Sequence, residues 1–210
     1  MLNISDLEVS IGNINILKSV SFQVTKFSSV IGRNGAGKTT LIRAIMNLLP
    51  SKSGVIKLKK STINDKETHE MSKLGIGYMP EDRRLIPELT VKDNIMIPLW
   101  SLNKKNLNEE LEEVVSFIPE IKNFLHREAF QLSGGQQKLV ALARAMIVGK
   151  DLLLLDEPFE GVAPALAERL VELISNLNKK KLVTMITESD ESFSRRINAD
   201  IIRIERGKIL

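Results

Sequence analysis

The 210-residue sequence contains no cysteine, which excludes disulfide bonds, thiolate metal sites and a cysteine nucleophile. Aromatic residues make up only 4% of the chain, and 30 basic and 26 acidic residues leave a formal net charge of +4. A nucleic-acid-binding protein is expected to show a basic tract or stacking aromatics, so we predict no nucleic-acid partner. Apolar runs such as residues 152–155 are much shorter than the roughly 20 residues that span a bilayer.

Residues 32–39 read Gly-Arg-Asn-Gly-Ala-Gly-Lys-Thr and lie between an apolar strand pattern and an amphipathic helix pattern. This arrangement is typical of a phosphate-binding loop that opens a helix. We expect Gly32, Gly35 and Gly37 to take positive φ, so that backbone N–H groups approach the β-phosphate. Lys38 would then bring an ammonium group to the β- and γ-phosphates. The alternative is a glycine-rich turn that caps an ordinary helix.

Nine successive residues are therefore predicted to contact a nucleotide. They are Gly32, Arg33, Asn34, Gly35, Ala36, Gly37, Lys38, Thr39 and Thr40. Among them, Thr39 offers its hydroxyl to Mg²⁺, while the hydroxyl and N–H of Thr40 are expected near the α-phosphate.

The apolar run at residues 152–155 ends in two carboxylates, Asp156 and Glu157. A parallel strand that is buried on both faces must be apolar, and ligand sites lie at the carboxyl ends of such strands. Asp156 is predicted to hold Mg²⁺ through water, opposite Thr39. Glu157 is predicted to accept a proton from the water that attacks the γ-phosphate. The alternative is a strand that leads into an acidic turn.

The signature segment, residues 132–136, reads Leu-Ser-Gly-Gly-Gln and opens another amphipathic helix. Ser133 and Gln136 have the spacing of a capping box, which on local grounds indicates only a well-capped helix. A hydroxyl and two bare glycines, Gly134 and Gly135, at a helix N-terminus can also receive phosphate oxygens.

Alternation of apolar and polar residues over 2–24, with a turn signal at 12–13, predicts an N-terminal antiparallel β layer. The helix after the phosphate loop is expected to stop at Pro50, and residues 53–54 are expected to form a turn. From residue 85 to 131 the pattern becomes helical.

We interpret residues 1–210 as a single α/β domain. Residues 1–84 and 132–210 would form its nucleotide-binding core, and residues 85–131 would form an inserted helical subdomain. The alternation of strand and helix patterns after residue 132 predicts a mostly parallel central sheet.

In this order and spacing, the three motifs resemble those of the ATPase subunit of an ATP-binding-cassette (ABC) transporter, and the resemblance spans nearly the whole chain. It implies a P-loop NTPase fold with ATP and Mg²⁺ as cofactors. It also implies a second ABC ATPase subunit, packed head to tail as a homodimer or heterodimer. Ser133, Gly134, Gly135 and Gln136 would then contact the γ-phosphate of ATP held by that partner, and closure of the dimer would drive transmembrane permease subunits.

A closer likeness comes from residues 78–91, Tyr-Met-Pro-Glu-Asp-Arg-Arg-Leu-Ile-Pro-Glu-Leu-Thr-Val, and residues 160–164, Glu-Gly-Val-Ala-Pro. These segments resemble the ATPases of branched-chain amino-acid importers and their urea or amide relatives. The likeness implies solute import, an indirect role for a solute-binding protein, and a peripheral location on the cytoplasmic face of the cell membrane.

Four positions depart from the family pattern. Ile11 stands where an aromatic residue usually stacks on adenine, and offers only an apolar contact. Glu81 replaces the glutamine that joins Mg²⁺ to the helical subdomain, and Ser189 is placed at the usual switch histidine. Ala163 replaces a frequent aspartate. The resulting metal candidates are Thr39, Asp156 and Glu81, and the catalytic candidates are Glu157, Lys38 and Ser189.

Two alternative functions stay open. The missing histidine and aspartate are compatible with a cassette that dimerises on ATP as a switch and hardly hydrolyses it. A soluble, non-transport ABC ATPase that acts on DNA or ribosomes is the other alternative, although the sequence shows no tandem cassette and no coiled-coil insertion.

Overall fold

A computed structural model describes residues 1–100, 102, 106–178 and 182–210. The described strands are β1 (Leu2–Ile11), β2 (Ile14–Val24), β3 (Phe27–Ile31), β4 (Ser53–Leu58), β5 (Ser61–Thr62), β6 (Ile76–Met79), β7 (Leu152–Asp156), β8 (Val183–Glu188), β9 (Asp200–Glu205) and β10 (Lys208–Ile209). The described α-helices are α1 (Lys38–Ile45), α2 (Val91–Trp100), α3 (Leu107–Phe117), α4 (Gly134–Val148), α5 (Pro164–Asn178) and α6 (Glu191–Arg196).

Six strands form the central sheet in the order β10-β9-β3-β8-β7-β6. The pairs from β9 to β6 are parallel, and β10 pairs antiparallel with β9. The predicted mostly parallel sheet is therefore confirmed. It brings the carboxyl ends of β3, β7 and β8 side by side, which is the edge where such sheets place their ligands.

Strand β7 separates two hydrophobic cores. Its residues Leu153 and Leu155 pack with apolar side chains of α2 to α5, while Leu152 and Leu154 pack with those of α1 and the antiparallel strands. All four leucines are fully buried. An apolar run without alternation is expected for a strand that is covered on both faces.

A second sheet has the order β2-β1-β4-β5 and only antiparallel pairs, which confirms the predicted β layer. The predicted turn at residues 53–54 is wrong, because both residues belong to β4. Gly54 has φ 94°, and a Cβ atom there would lie 2.5 Å from the carbonyl oxygen of Asp6. The pairing with β1 is irregular between Ser5 and Glu8, so this glycine marks a bulge.

Helix α1 ends at Ile45, so the predicted end at Pro50 is wrong. Asn47 adopts the left-handed conformation with φ 51°. Its side-chain Nδ2 donates hydrogen bonds of 2.6 Å and 2.7 Å to the carbonyl oxygens of Ile63 and Lys66. A left-handed asparagine terminates a helix much as glycine does.

Residues 85–131 hold α2, α3 and the 3-10 helices Pro119–Phe124 and Ala129–Gln131, and their described part contributes no strand to either sheet. Apolar side chains of α2 and α3 pack in the same core as α4. Among the described residues, no helix is both long and apolar enough to cross a membrane.

Candidate active site

The phosphate loop joins β3 to α1. Gly37 is the N-cap of α1 with φ 109°, and no described side chain caps this helix end. The first N–H groups of a helix have no intrahelical partner, so this N-terminus is available to an anion. The expected positive φ is confirmed for Gly37 and for Gly35, which has φ 81°. It is wrong for Gly32, where glycine is needed because a Cβ atom would lie 2.4 Å from the carbonyl oxygen of Ile204.

Lys38 is only 4% exposed and lies at the centre of the site. Its Nζ donates hydrogen bonds of 2.7 Å and 3.3 Å to the carbonyl oxygens of Gly32 and Arg33. The same Nζ lies 3.0 Å from Glu157 Oε1 and 3.2 Å from Ser189 Oγ. The structure therefore brings the three catalytic candidates into direct contact.

Ser189 follows β8 directly and lies between the phosphate loop and Glu157. Its hydroxyl oxygen is 2.8 Å from Asn34 Oδ1 and 3.2 Å from Glu157 Oε2. A hydroxyl at this point can donate to a phosphate oxygen, but it cannot carry the positive charge of a histidine.

Glu157 follows the end of β7 and has φ 47°, an unusual conformation for a residue with a side chain. Its N–H donates to the carbonyl oxygen of Thr187 at 3.1 Å. Burial alone would raise the pKa of Glu157, but hydrogen bonds with Glu160 and Lys38 hold that pKa below its ordinary value. The hydrogen bond with Glu157 raises the pKa of Glu160 to about 7. Glu157 is therefore the carboxyl group of this pair that stays ionised.

Asp156 is 1% exposed and keeps one carboxylate oxygen without a hydrogen-bond partner among the described residues, namely Oδ2. Its Oδ1 accepts hydrogen bonds from Thr187 Oγ1 at 2.6 Å and from Thr39 Oγ1 at 3.3 Å. Burial raises the pKa of Asp156, while these two hydroxyl groups act in the opposite direction. A buried, unpartnered carboxylate oxygen beside a threonine hydroxyl fits a hard cation.

The described residues contain no group of three or more His, Cys, Asp and Glu side chains suited to a metal ion. The carboxylate of Asp156 and the hydroxyl of Thr39 are oxygen ligands, and proteins hold Mg²⁺ through one or two carboxylates together with substrate phosphates.

A cavity of about 320 Å³ opens beside the phosphate loop. Its lining residues are Ile16, Asn34, Gly35, Gly37, Lys38, Thr39, Thr40, Glu81, Glu157 and Glu160. Glu81, the third metal candidate, lies on the wall of this cavity. Ile11 lies near the tip of the β1–β2 hairpin, 49% exposed, and the hairpin residue described in the cavity lining is Ile16 instead.

The signature segment caps α4 as predicted. Ser133 Oγ accepts from the N–H of Gln136 at 3.3 Å, and Gln136 Oε1 accepts from the N–H of Ser133 at 3.0 Å. Residues 133–136 line a second cavity of about 730 Å³, which shares Glu81 and Glu160 with the first. The described lining of the first cavity lacks residues 133–136, so one chain does not place its signature segment in the same cavity as Lys38.

Sequence reasoning missed three residues at the site. Thr187 faces Asp156 because β7 and β8 pair in parallel with these two residues in register. Burial raises the pKa of Glu188 to about 8, and its carboxyl group accepts the N–H of Phe159 at 3.2 Å. Lys138 is buried on α4 and reaches the loop after β7. A lysine inside an apolar helix pattern was the one signal available for it.

The sequence model of the family described as ABC transporter matches residues 17–160 of this chain. The whole chain is 29% identical to the probable branched-chain amino acid transport ATP-binding protein LivF of Archaeoglobus fulgidus and covers 90% of that protein. It is 31% identical over its whole length to the thiamine import ATP-binding protein ThiQ of Ruegeria sp. and also covers 90% of it.

Among solved structures, the dimeric structure of MJ0796, a bacterial ABC transporter cassette, is similar with a TM-score of 0.88 at 25% identity. The similarity covers 100% of this chain and 96% of that one. The family model, the curated relatives and the similar solved structure all agree with the arrangement of the three motifs in this chain. The chain therefore belongs to the ABC transporter family, as an ATP-binding and ATP-hydrolysing subunit.

Proposed function

We propose that this chain powers the import of branched-chain amino acids, or of a related small amide or amino-acid solute, through ATP-driven closure of a dimer. The likeness to LivF over the whole chain supports this solute class. ThiQ, a thiamine import protein, is similarly close, so the solute is the finer part of the proposal.

The observation that carries the proposal is the contact between Lys38 and Glu157 at the open N-terminus of α1. In this role, Lys38 and the first-turn N–H groups bind the β- and γ-phosphates. Glu157 is ionised, and so it can accept the proton of the attacking water. The hydroxyl group of Ser189 donates a hydrogen bond to the γ-phosphate.

Thr39, Asp156 and Glu81 are the residues that would hold Mg²⁺. When bound, the ion would neutralise charge on the β- and γ-phosphate oxygens. The unpartnered Oδ2 of Asp156 supports its part in this set, and the place of Glu81 on the cavity wall supports the second carboxylate.

Residues 32–40 form the phosphate site in this proposal, with Ser133, Gly134, Gly135 and Gln136 acting on the γ-phosphate of the partner's ATP. Residues 133–136 line the second cavity and are absent from the described lining of the first, which supports that division, and the similar cassette MJ0796 is dimeric. Ile11 stays the predicted adenine contact, and Ile16 is added to it from the cavity lining.

The proposed partners are a second ABC ATPase subunit and transmembrane permease subunits, with a solute-binding protein acting indirectly. The chain would sit on the cytoplasmic face of the cell membrane, with residues 85–131 as the helical subdomain and residues 1–84 and 132–210 as the ATP-binding core. Purification of the chain from membranes should therefore recover permease proteins with it. Recovery of ribosomes or DNA instead would support the non-transport alternative.

Phosphate release by the purified complex tests the proposed reaction. We expect Glu157→Gln to lower turnover by about 100-fold or more, because the variant loses the proton acceptor, while it still binds Mg-ATP. Glu112→Gln on the exposed face of α3 is the matched control and should behave like the parent protein. ATP-dependent dimerisation of the parent without phosphate release would instead support the switch alternative.

The solute is tested by uptake in cells from which this chain has been deleted. Uptake of leucine or valine should fall, and uptake of thiamine should not change. The opposite pattern would contradict the proposed solute class and leave the ATPase activity untouched.

A further inference from the structure

We infer that Lys138 is a positioning residue for ATP hydrolysis. Its ammonium group ties the start of helix α4 to the catalytic loop, defined here as residues 157–160, and thereby fixes the carboxylate of Glu157. The inference rests on the proposed function, in which Glu157 is the proton acceptor, and it adds a residue outside the three motifs.

The ammonium group of Lys138 is fully engaged by this loop. Its Nζ donates hydrogen bonds of 3.1 Å, 2.9 Å and 2.6 Å to the carbonyl oxygens of Glu157, Pro158 and Glu160. A lysine has three N–H donors, so the three carbonyl oxygens match its full donor capacity. Lys138 is only 5% exposed, and a buried charge is tolerated when its hydrogen bonds are satisfied in this way.

The catalytic loop needs such a restraint because its first residue is in a costly conformation. Glu157 has φ 47°, which a side chain favours only when its surroundings hold it there. On one side, the N–H of Phe159 donates to the carboxyl group of Glu188, and the Phe159 ring stacks on Phe193 at 4.5 Å. On the main chain, the N–H of Glu157 donates to the carbonyl oxygen of Thr187, and Lys138 adds a restraint on the carbonyl oxygens of the loop.

Lys138 lies in the first turns of α4, close behind the cap that Ser133 forms. The signature segment lines the second cavity and the catalytic loop lines both cavities through Glu160. A tie between α4 and the loop therefore makes these two functional surfaces of one chain move as a unit. In a dimer, those surfaces would serve two different ATP molecules.

The arrangement of the three carbonyl oxygens around Nζ suits lysine better than other side chains. A guanidinium presents its donors in a planar fork, which does not match three oxygens that converge on one point. Glutamine keeps two donors and methionine keeps none, while both retain much of the side-chain length. The rate of ATP hydrolysis should therefore be highest in the parent protein, lower in Lys138→Gln and lowest in Lys138→Met.

The test compares turnover with nucleotide affinity in the purified transporter complex. We expect Lys138→Met to lower turnover by about 100-fold, since small displacements of a catalytic group have effects of this size, with the Kd for Mg-ATP changed by less than about threefold. Lys59→Met removes an exposed lysine that pairs with Asp151 at the other end of β7, and should leave both quantities unchanged.

A second measurement separates positioning from a general loss of structure. In a Glu157→Gln background, Lys138→Met should cause no further loss of the residual turnover, because its effect acts through that carboxylate. A further loss of similar size in that background would overturn the inference, as would an unchanged turnover in Lys138→Met. If Lys138→Met does not fold, the same two comparisons are made with Lys138→Gln. Failure of the parent protein to bind Mg-ATP would instead count against the proposed function.

Discussion

The N-termini of α1 and α4 are both proposed to bind phosphate, yet the two helices begin differently. Helix α1 starts behind Gly37 and has no capping side chain in the described part of the chain, whereas α4 starts behind Ser133, which forms a full capping box with Gln136. The first leaves its N–H groups to a ligand and supplies the buried charge of Lys38. The second satisfies part of its own N-terminus through the capping box of Ser133 and Gln136.

The largest expected effect comes from removing the charge at α1. Lys38→Ala should raise the Kd for Mg-ATP by about 100-fold or more. The variant takes the ammonium group away from the phosphates, and it also leaves the buried carboxylate of Glu157 without its cation. Calorimetric titration of the purified chain measures this. Lys26→Ala, at an exposed lysine, is the control. Equal affinities of Lys38→Ala and the parent would remove the basis for assigning the α1 site to ATP.

These differences show which features can be predicted from sequence. The phosphate loop, the capping box and the two carboxylates at the end of β7 were predictable because each depends on residues that are close along the chain. The roles of Thr187 and Lys138 were not, because they require the order of the strands and the packing of α4 on the loop after β7.

The ends of helices and strands are also hard to predict from sequence when they depend on residues that are distant along the chain. Apolar periodicity continued past Ile45, but α1 stops there because Asn47 bonds to the main chain of residues 63 and 66, which are distant in sequence. Gly54 carries a local turn signal, and only its pairing with the irregular part of β1 reveals a bulge instead.

The next prediction concerns Glu188, which supports the phosphate loop at α1. Its backbone carbonyl oxygen accepts a hydrogen bond from the N–H of Gly32 at 3.1 Å. Burial raises the pKa of Glu188 from 4.5 to about 8, so in this pH window the folded protein holds a proton that the unfolded chain releases. The free energy of unfolding should therefore fall as pH rises through the window, by at most about 1.4 kcal/mol per pH unit from this group.

Glu188→Gln removes the titrating group and can still accept the N–H of Phe159. Its free energy of unfolding, measured with urea between about pH 5 and pH 8, should depend less on pH than that of the parent by this amount. Parallel curves for the two proteins would show that Glu188 does not carry the proton.

The smallest effect is expected at the α4 side. Ser133→Ala breaks the capping box and should lower the free energy of unfolding by about 1 kcal/mol, while Ser133→Gly should cost only a few tenths. Both variants should bind Mg-ATP as single chains with the affinity of the parent, since the described lining of the α1 cavity lacks Ser133. Denaturant unfolding and calorimetry measure the two quantities, and weaker binding by the single chain would contradict the separation of the sites.

Glu157 has a left-handed backbone, and at this position the conformational preference of the chain and the proposed chemistry favour different residues. Conformational preference there favours glycine or asparagine by about 1 kcal/mol, whereas proton transfer demands a carboxylate. In the proposed function the carboxylate accepts the proton of the attacking water, so a strained glutamate stands where glycine would make the fold more stable.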